Sequence, residues 1–240
     1  FPPFMPEGSG YTPGSNQGFT SMAKEKSDQA ENYEFIQNNY QGAISLLKDL
    51  LEVTKDINLR GQILNRIARN YMKLNNFEAA ITTYTEIIRR FPESRTSSGT
   101  LLPVTVRFQL TECYLRSGKK KDAFKATLLA FKEVIQNYHK LSENQFSAYA
   151  SLARETFNKI RDENPEITSS DTIFIKNFEN LNILYQKKTS EWQVINDLKT
   201  ECIPDIFSEL IQNSGYSENT FRYSKRVGPE EFLIVLSRIP

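Results

Sequence analysis

Two stretches of this chain carry apolar or small residues at the same six offsets. Tyr40, Ala43, Ile44, Leu47, Leu50 and Leu51 fall at 0, 3, 4, 7, 10 and 11, and Phe77, Ala80, Ile81, Tyr84, Ile87 and Ile88 repeat that pattern. This is the spacing of an α-helix that buries one face, with a period near 3.6 residues. Each stretch follows an asparagine pair, Asn38-Asn39 and Asn75-Asn76. Asparagine tolerates the backbone conformations needed to turn between antiparallel helices. A weaker third copy, Ala123, Phe124, Thr127, Leu128, Phe131 and Ile135, follows Ser117-Gly118-Lys119, where Gly118 is a natural helix stop.

A second apolar-striped helix precedes the later copies. Leu64, Ile67, Ala68, Tyr71 and Leu74 form one stripe, and Leu110, Cys113 and Tyr114 form the other. The unit is therefore a helix–turn–helix, repeated. Ala80 lies 37 residues after Ala43, and Ala123 lies 43 after Ala80. The longer interval contains SRTSSGT at 94–100, whose Ser, Thr and Gly content reads as a loop insertion.

The flanks differ in character. Residues 1–22 hold four Pro and four Gly without periodicity and read as a flexible arm. The repeats occupy 23–164, beginning with a helix near 24–37 that offers only Ala30, Tyr33 and Ile36, and ending in a capping helix. That capping helix carries Phe146, Tyr149, Ala150, Ala153, Phe157 and Ile160 and is opened by Ser142, a good N-cap. A long helical segment fills 165–215. From Asp171 it carries Phe174, Phe178, Leu181, Tyr185, Trp192 and Ile195, a heptad seam interrupted at Lys188. That seam fits either a capping helix on the repeats or a dimer through 171–199. A short helix is expected at 204–213, after Pro204. Residues 216–240 read as a β-hairpin, with strands near 221–227 and 231–237 and a Gly228-Pro229 turn. Such a hairpin is expected to belong to a module that continues past Pro240.

Composition excludes several functions. Lys plus Arg is 30 and Asp plus Glu is 29, a near-balance that supplies no attraction for nucleic acid. The longest aliphatic-aromatic run, FLIVL at 232–236, is far shorter than the roughly 20 residues that span a bilayer. Membrane attachment is expected only through segments outside this chain. Cys113 and Cys202 form neither a metal spacing nor a disulfide framework and read as buried thiols, their pairing left open. His139 has no nucleophile or carboxylate partner by motif, and Asp162-Glu163 and Glu230-Glu231 lack partners at catalytic spacing. SGKKKD at 117–122 lacks the earlier Gly of a phosphate-binding loop, because position 113 is Cys. No enzyme, metal or cofactor site is expected.

The second unit resembles the tetratricopeptide repeat, whose period is about 34 residues. Leu64, Ile67, Ala68 and Tyr71 supply its large, large, small and aromatic positions, and Asn75 replaces the usual turn glycine. Ala80, Tyr84, Ile87 and Pro92 match the second helix and its end. The resemblance implies an all-α, right-handed solenoid of helical hairpins whose first helices line a concave groove for a protein or peptide ligand. In that register the groove residues are Asn65, Arg69 and Met72 in the second unit and Phe108, Glu112 and Leu115 in the third. Some members grip a peptide carboxylate through Lys, Asn and Arg. Here Asn65, Arg66 and Arg69 suit one unit, while Thr105 and Gln109 stand where the next unit's basic residues belong. A narrower resemblance covers about residues 30–240. LNRIARNYMKLNNFEAAITTYTEIIRRFPES, the SSG insertion, LSENQFSAYASLARETFNKI and RVGPEEFLIVL are together similar to the extracytoplasmic sensory region of bacterial membrane-bound histidine kinases. This implies a periplasmic input domain, with a free-standing scaffold or adaptor, such as an envelope assembly protein or a cytoplasmic scaffold, as the alternative.

Overall fold

The computed structural model describes residues 21–166, 172–197, 200, 220–227 and 230–237. The chain divides into two compact units, Phe1–Leu181 and Asn182–Pro240. In the first, antiparallel helices pack in sequence order: α1 (Ser21–Phe35), α2 (Tyr40–Val53), α3 (Ile57–Lys73), α4 (Phe77–Arg90), α5 (Leu102–Arg116), α6 (Lys120–Gln136) and α7 (Glu143–Glu163). A single 3-10 turn at Tyr138–Lys140 precedes α7. The last helix, α8 (Thr172–Asp197), crosses the boundary between the units. The architecture is the expected all-α solenoid of helical hairpins.

The turns explain the asparagine pairs. Asn38 and Asn75 sit at φ 52° and 57°, and Gly118 at 73°, so one left-handed residue reverses the chain in each hairpin. The second asparagine then caps the following helix. Asn39 Oδ1 accepts from Gly42 N at 3.0 Å, and Asn76 Oδ1 accepts from Ala79 N at 3.2 Å. Lys119 stands at the corresponding position of the third hairpin without a side-chain cap.

The marker alanines lie where helices cross. Ala43, Ala80 and Ala123 are each fully buried, which permits close approach of neighbouring backbones. Ala80 shares one core cluster with Ile44, Leu47, Ile67, Tyr84 and Ile87. Helix α4 ends at Arg90, just before Pro92, as expected. The capping box of α7 is complete, with Ser142 Oγ accepting from Gln145 N at 3.2 Å and Ser142 N donating to Gln145 Oε1 at 3.0 Å.

The start of α8 closes the far end of the first unit. Phe178 stacks on Phe157 at 3.7 Å between centroids and lies 5.8 Å from Phe131, and Phe174 lies 5.2 Å from Phe124. The first turns of the heptad seam thus act as a cap on the repeats.

One expectation is revised. The first helix spans Ser21–Phe35, not 24–37, so it begins inside the segment read as an arm. The SRTSSGT insertion is a loop, as expected: Ser94, Thr96 and Thr100 are buried, Arg95, Ser97, Ser98 and Gly99 are exposed, and Arg95 pairs with Leu101 in an antiparallel bridge. Its hydroxyls hydrogen-bond locally, which sequence composition does not distinguish from solvation.

In the second unit, taken by itself, β1 (Thr220–Val227) pairs antiparallel with β2 (Glu230–Ser237), in register from Thr220 opposite Ser237 to Val227 opposite Glu230. The expected strands are present. The arm at 1–20, the helix at 204–213, the Gly228-Pro229 turn and Cys202 lie outside the described residues.

Candidate functional site

Helices α3, α5 and α7 are the first helices of successive hairpins or the capping element after them, and each is joined to its neighbours by specific contacts. Phe108 of α5 stacks with Tyr149 of α7, centroids 5.5 Å apart and planes 24° apart. The Tyr149 hydroxyl lies 3.4 Å from Thr105 Oγ1. Both rings are half-buried, leaving aromatic surface between α5 and α7. Glu112 and Leu115 are also half-buried on α5.

The α3 side is built differently. Glu34 of α1 is buried, its side chain 1% exposed, and three cations of α3 surround it. Arg66 Nε donates to Glu34 Oε2 at 3.3 Å, Lys73 Nζ lies 3.6 Å from Oε1, and Arg69 Nη2 lies 3.8 Å from Oε1. Arg66 Nη1 also donates to Ser27 Oγ at 3.4 Å. Lys73 is further enclosed by Phe35 and Tyr40, 5.0 Å and 4.8 Å from their centroids.

The expected groove residues therefore separate into two groups. Arg66 and Arg69 both pair with Glu34, at 3.3 and 3.8 Å, while keeping 20% and 24% of their side chains exposed. Asn65 is only 6% exposed, and its Oδ1 is buried without a hydrogen-bond partner among the described residues. Met72 is half-buried and accepts a hydrogen bond on its sulfur from Tyr84 Oη at 3.3 Å. Phe108, Glu112 and Leu115 retain partly open faces.

Sequence reasoning missed Glu34, Lys73 and Tyr149 as partners of these residues. A signal existed for Glu34. It stands 37 residues before Tyr71, the same interval that separates Ala43 from Ala80, so an acid occupies the aromatic position of the first unit.

Buried ionisable groups elsewhere serve packing. Burial pushes the Cys113 thiol up to about 12, with Glu112 adding to the rise. Burial likewise holds the Tyr84 hydroxyl well above its usual range, with the nearby Cys113 a lesser cause. Cys113 is a free thiol. Among the described residues no cluster of three or more His, Cys, Asp or Glu is placed to hold a metal ion, and no helix is long and apolar enough to cross a membrane.

Comparison with known proteins agrees with the fold. Residues 66–94, the latter part of α3 through Ser94, match the tetratricopeptide repeat family model. No curated protein matches the chain. A tetratricopeptide repeat within a stack of helical hairpins supports a tetratricopeptide-repeat protein, a class whose repeats mediate protein–protein binding and are generally non-catalytic.

Proposed function

We propose that this chain is a non-catalytic interaction domain whose α5–α7 face receives an apolar or aromatic segment of a protein partner. The observation that carries the reading is the half-buried Phe108–Tyr149 stack, joining two successive groove-lining helices next to a matched repeat. Aromatic pairs of this kind contribute large contact area with few rotatable bonds. Glu34 balances only one of the three positive charges of Arg66, Arg69 and Lys73, so the α3 side keeps a net positive charge beside the apolar α5–α7 face.

The reading extends to the parent protein. We infer the periplasmic sensory input region of a bacterial membrane-bound histidine kinase, in which a partner bound by the solenoid biases a downstream module. Its support is the sequence resemblance, together with the length of α8, a single helix over Thr172–Asp197. The near-balance of charge favours no nucleic-acid partner, and membrane contact would come through other segments. Dimerisation through 171–199 belongs to the same proposal.

A displayed library of short peptides tests the groove. Enrichment of apolar-anchored peptides by the native chain, lost in Phe108→Ala/Tyr149→Ala, is the expected result. Equal enrichment by both proteins refutes the α5–α7 face. The parent reading frame tests the wider claim: it must encode a membrane span on each side of this region and a kinase core after it. A frame with no kinase core would leave a scaffold.

A further inference from the structure

The insertion between α4 and α5 is longer than a connection requires, and it is anchored on both sides. Within it, Thr96 N donates to Thr100 O at 2.8 Å, Leu102 N to Ser94 O at 2.7 Å, and Arg95 Nη1 to Gly99 O at 2.7 Å. Gly99 supplies the left-handed turn at φ 82°. The result is a small closed strap, residues 94–101.

One flank is held by the beginning of α3. Arg95 N donates to Asn58 Oδ1 at 2.6 Å, and Gln62 Nε2 donates to Arg95 O at 2.8 Å. Between these two residues on α3 lies Gly61, where an added Cβ would sit 2.9 Å from Ser94 Oγ and 3.2 Å from Leu102 Cδ2. The missing side chain lets the strap lie against the helix.

The other flank is held by the beginning of α7. Gln145 Nε2 donates to Thr100 Oγ1 at 2.8 Å. The same amide accepts from Ser142 N through Oε1, so one side chain both caps α7 and grips the strap. Nearby, Lys140 Nζ reaches Glu93 Oε1 at 2.7 Å and Oε2 at 2.9 Å.

We propose that the 94–101 strap is a conformational coupler, tying the start of α3 to the start of α7 across α5 so that these three helices open and close as one block. The claim is independent of what the groove binds. Coupling of this sort requires a physical chain of contacts with two states, closed and lifted, and the strap is small enough to lift as a unit. Losing either anchor lifts it from both helices.

Hydrogen exchange tests the coupling. Asn58→Ala/Gln62→Ala removes both side-chain hydrogen bonds from α3 to Arg95 and touches nothing on α7. Thr100→Val removes the acceptor for Gln145 while leaving the Ser142 cap intact. Expected is exchange roughly threefold or more faster in the second turn of α7 for Asn58→Ala/Gln62→Ala, and in the second turn of α3 for Thr100→Val. Gly61→Ala, whose added Cβ would meet Ser94 Oγ at 2.9 Å and press on the strap from the α3 side, should give the same remote effect on α7. In equilibrium unfolding, combining Asn58→Ala/Gln62→Ala with Thr100→Val should lower the folding constant by less than the product of the two separate factors, because the second change acts on a strap already lifted. Exchange changes confined to the helix nearest each substitution, with multiplicative equilibrium effects, would overturn the proposal.

Discussion

Glu34 is the anchor of α1, and removing its charge is a stringent test of how the solenoid begins. Among its described side chains α1 fully buries two small apolar ones, Ala23 and Ala30, besides Glu34, and half-buries Tyr33. At about 0.8 kcal/mol per buried methyl or methylene, those alanines hold the helix by roughly 1–2 kcal/mol. The carboxylate faces three cations at 3.3, 3.6 and 3.8 Å. Breaking a buried ion pair from one side costs about 3–5 kcal/mol. Here the cation side chains keep 20%, 24% and 35% exposure, so water takes up part of their unbalanced charge and the lower end applies. Glu34→Gln, which preserves shape, should therefore cost about 2–3 kcal/mol in urea unfolding, with the loss of exchange protection concentrated in α1. Adding Arg66→Met should cost less than the sum of the two single changes, since they share the broken interaction. A loss below about 0.5 kcal/mol, or one spread evenly over the helices, would show that the cluster is not what docks α1.

Other perturbations bear on the remaining contacts. Phe178→Ala deletes the ring stacked on Phe157 at 3.7 Å and should lower stability by about 3–4 kcal/mol, measured by thermal or urea unfolding. Asn75, at φ 57°, should accept glycine within about 0.5 kcal/mol, whereas Asn75→Val should cost about 1–2 kcal/mol. The Cys113 thiol, raised from 9.0 to about 12, stays protonated in the folded chain at a pH where the unfolded chain releases its proton. The native state then binds more protons, so stability should fall as pH rises above 9, and Cys113→Ala should flatten that fall. At pH 8 the native thiol should resist a thiol-specific reagent that labels it readily after denaturation.

Much of the fold was legible because helical repeats are governed by local geometry. The offsets of Tyr40–Leu51 and Phe77–Ile88 report one buried helix face each, and the asparagine pairs report the turn. Ala43, Ala80 and Ala123 proved fully buried because only a small residue fits where two backbones cross. The groove was legible only as a list of positions. Register assigns Asn65, Arg66 and Arg69 to the first helix of a pair, but it does not say that Asn65 is covered or that both arginines face an acid 32 or more residues earlier. The insertion shows the same limit, since a run of Ser and Thr reads identically whether its hydroxyls bond to water or to one another.

The sequence by itself thus determined the hairpins, their turns and the small residues at their crossings, all set by neighbours within a few turns of helix. Tertiary structure decided which polar groups are spent on the fold and which remain for a partner. Glu34 draws the cations of α3 inward, Gln145 joins the strap to α7, and Phe108 meets Tyr149 only because α5 and α7 come side by side. The reason is physical: hydrophobic periodicity is written along one helix, but charge pairing and ring stacking depend on how successive helices are set against one another.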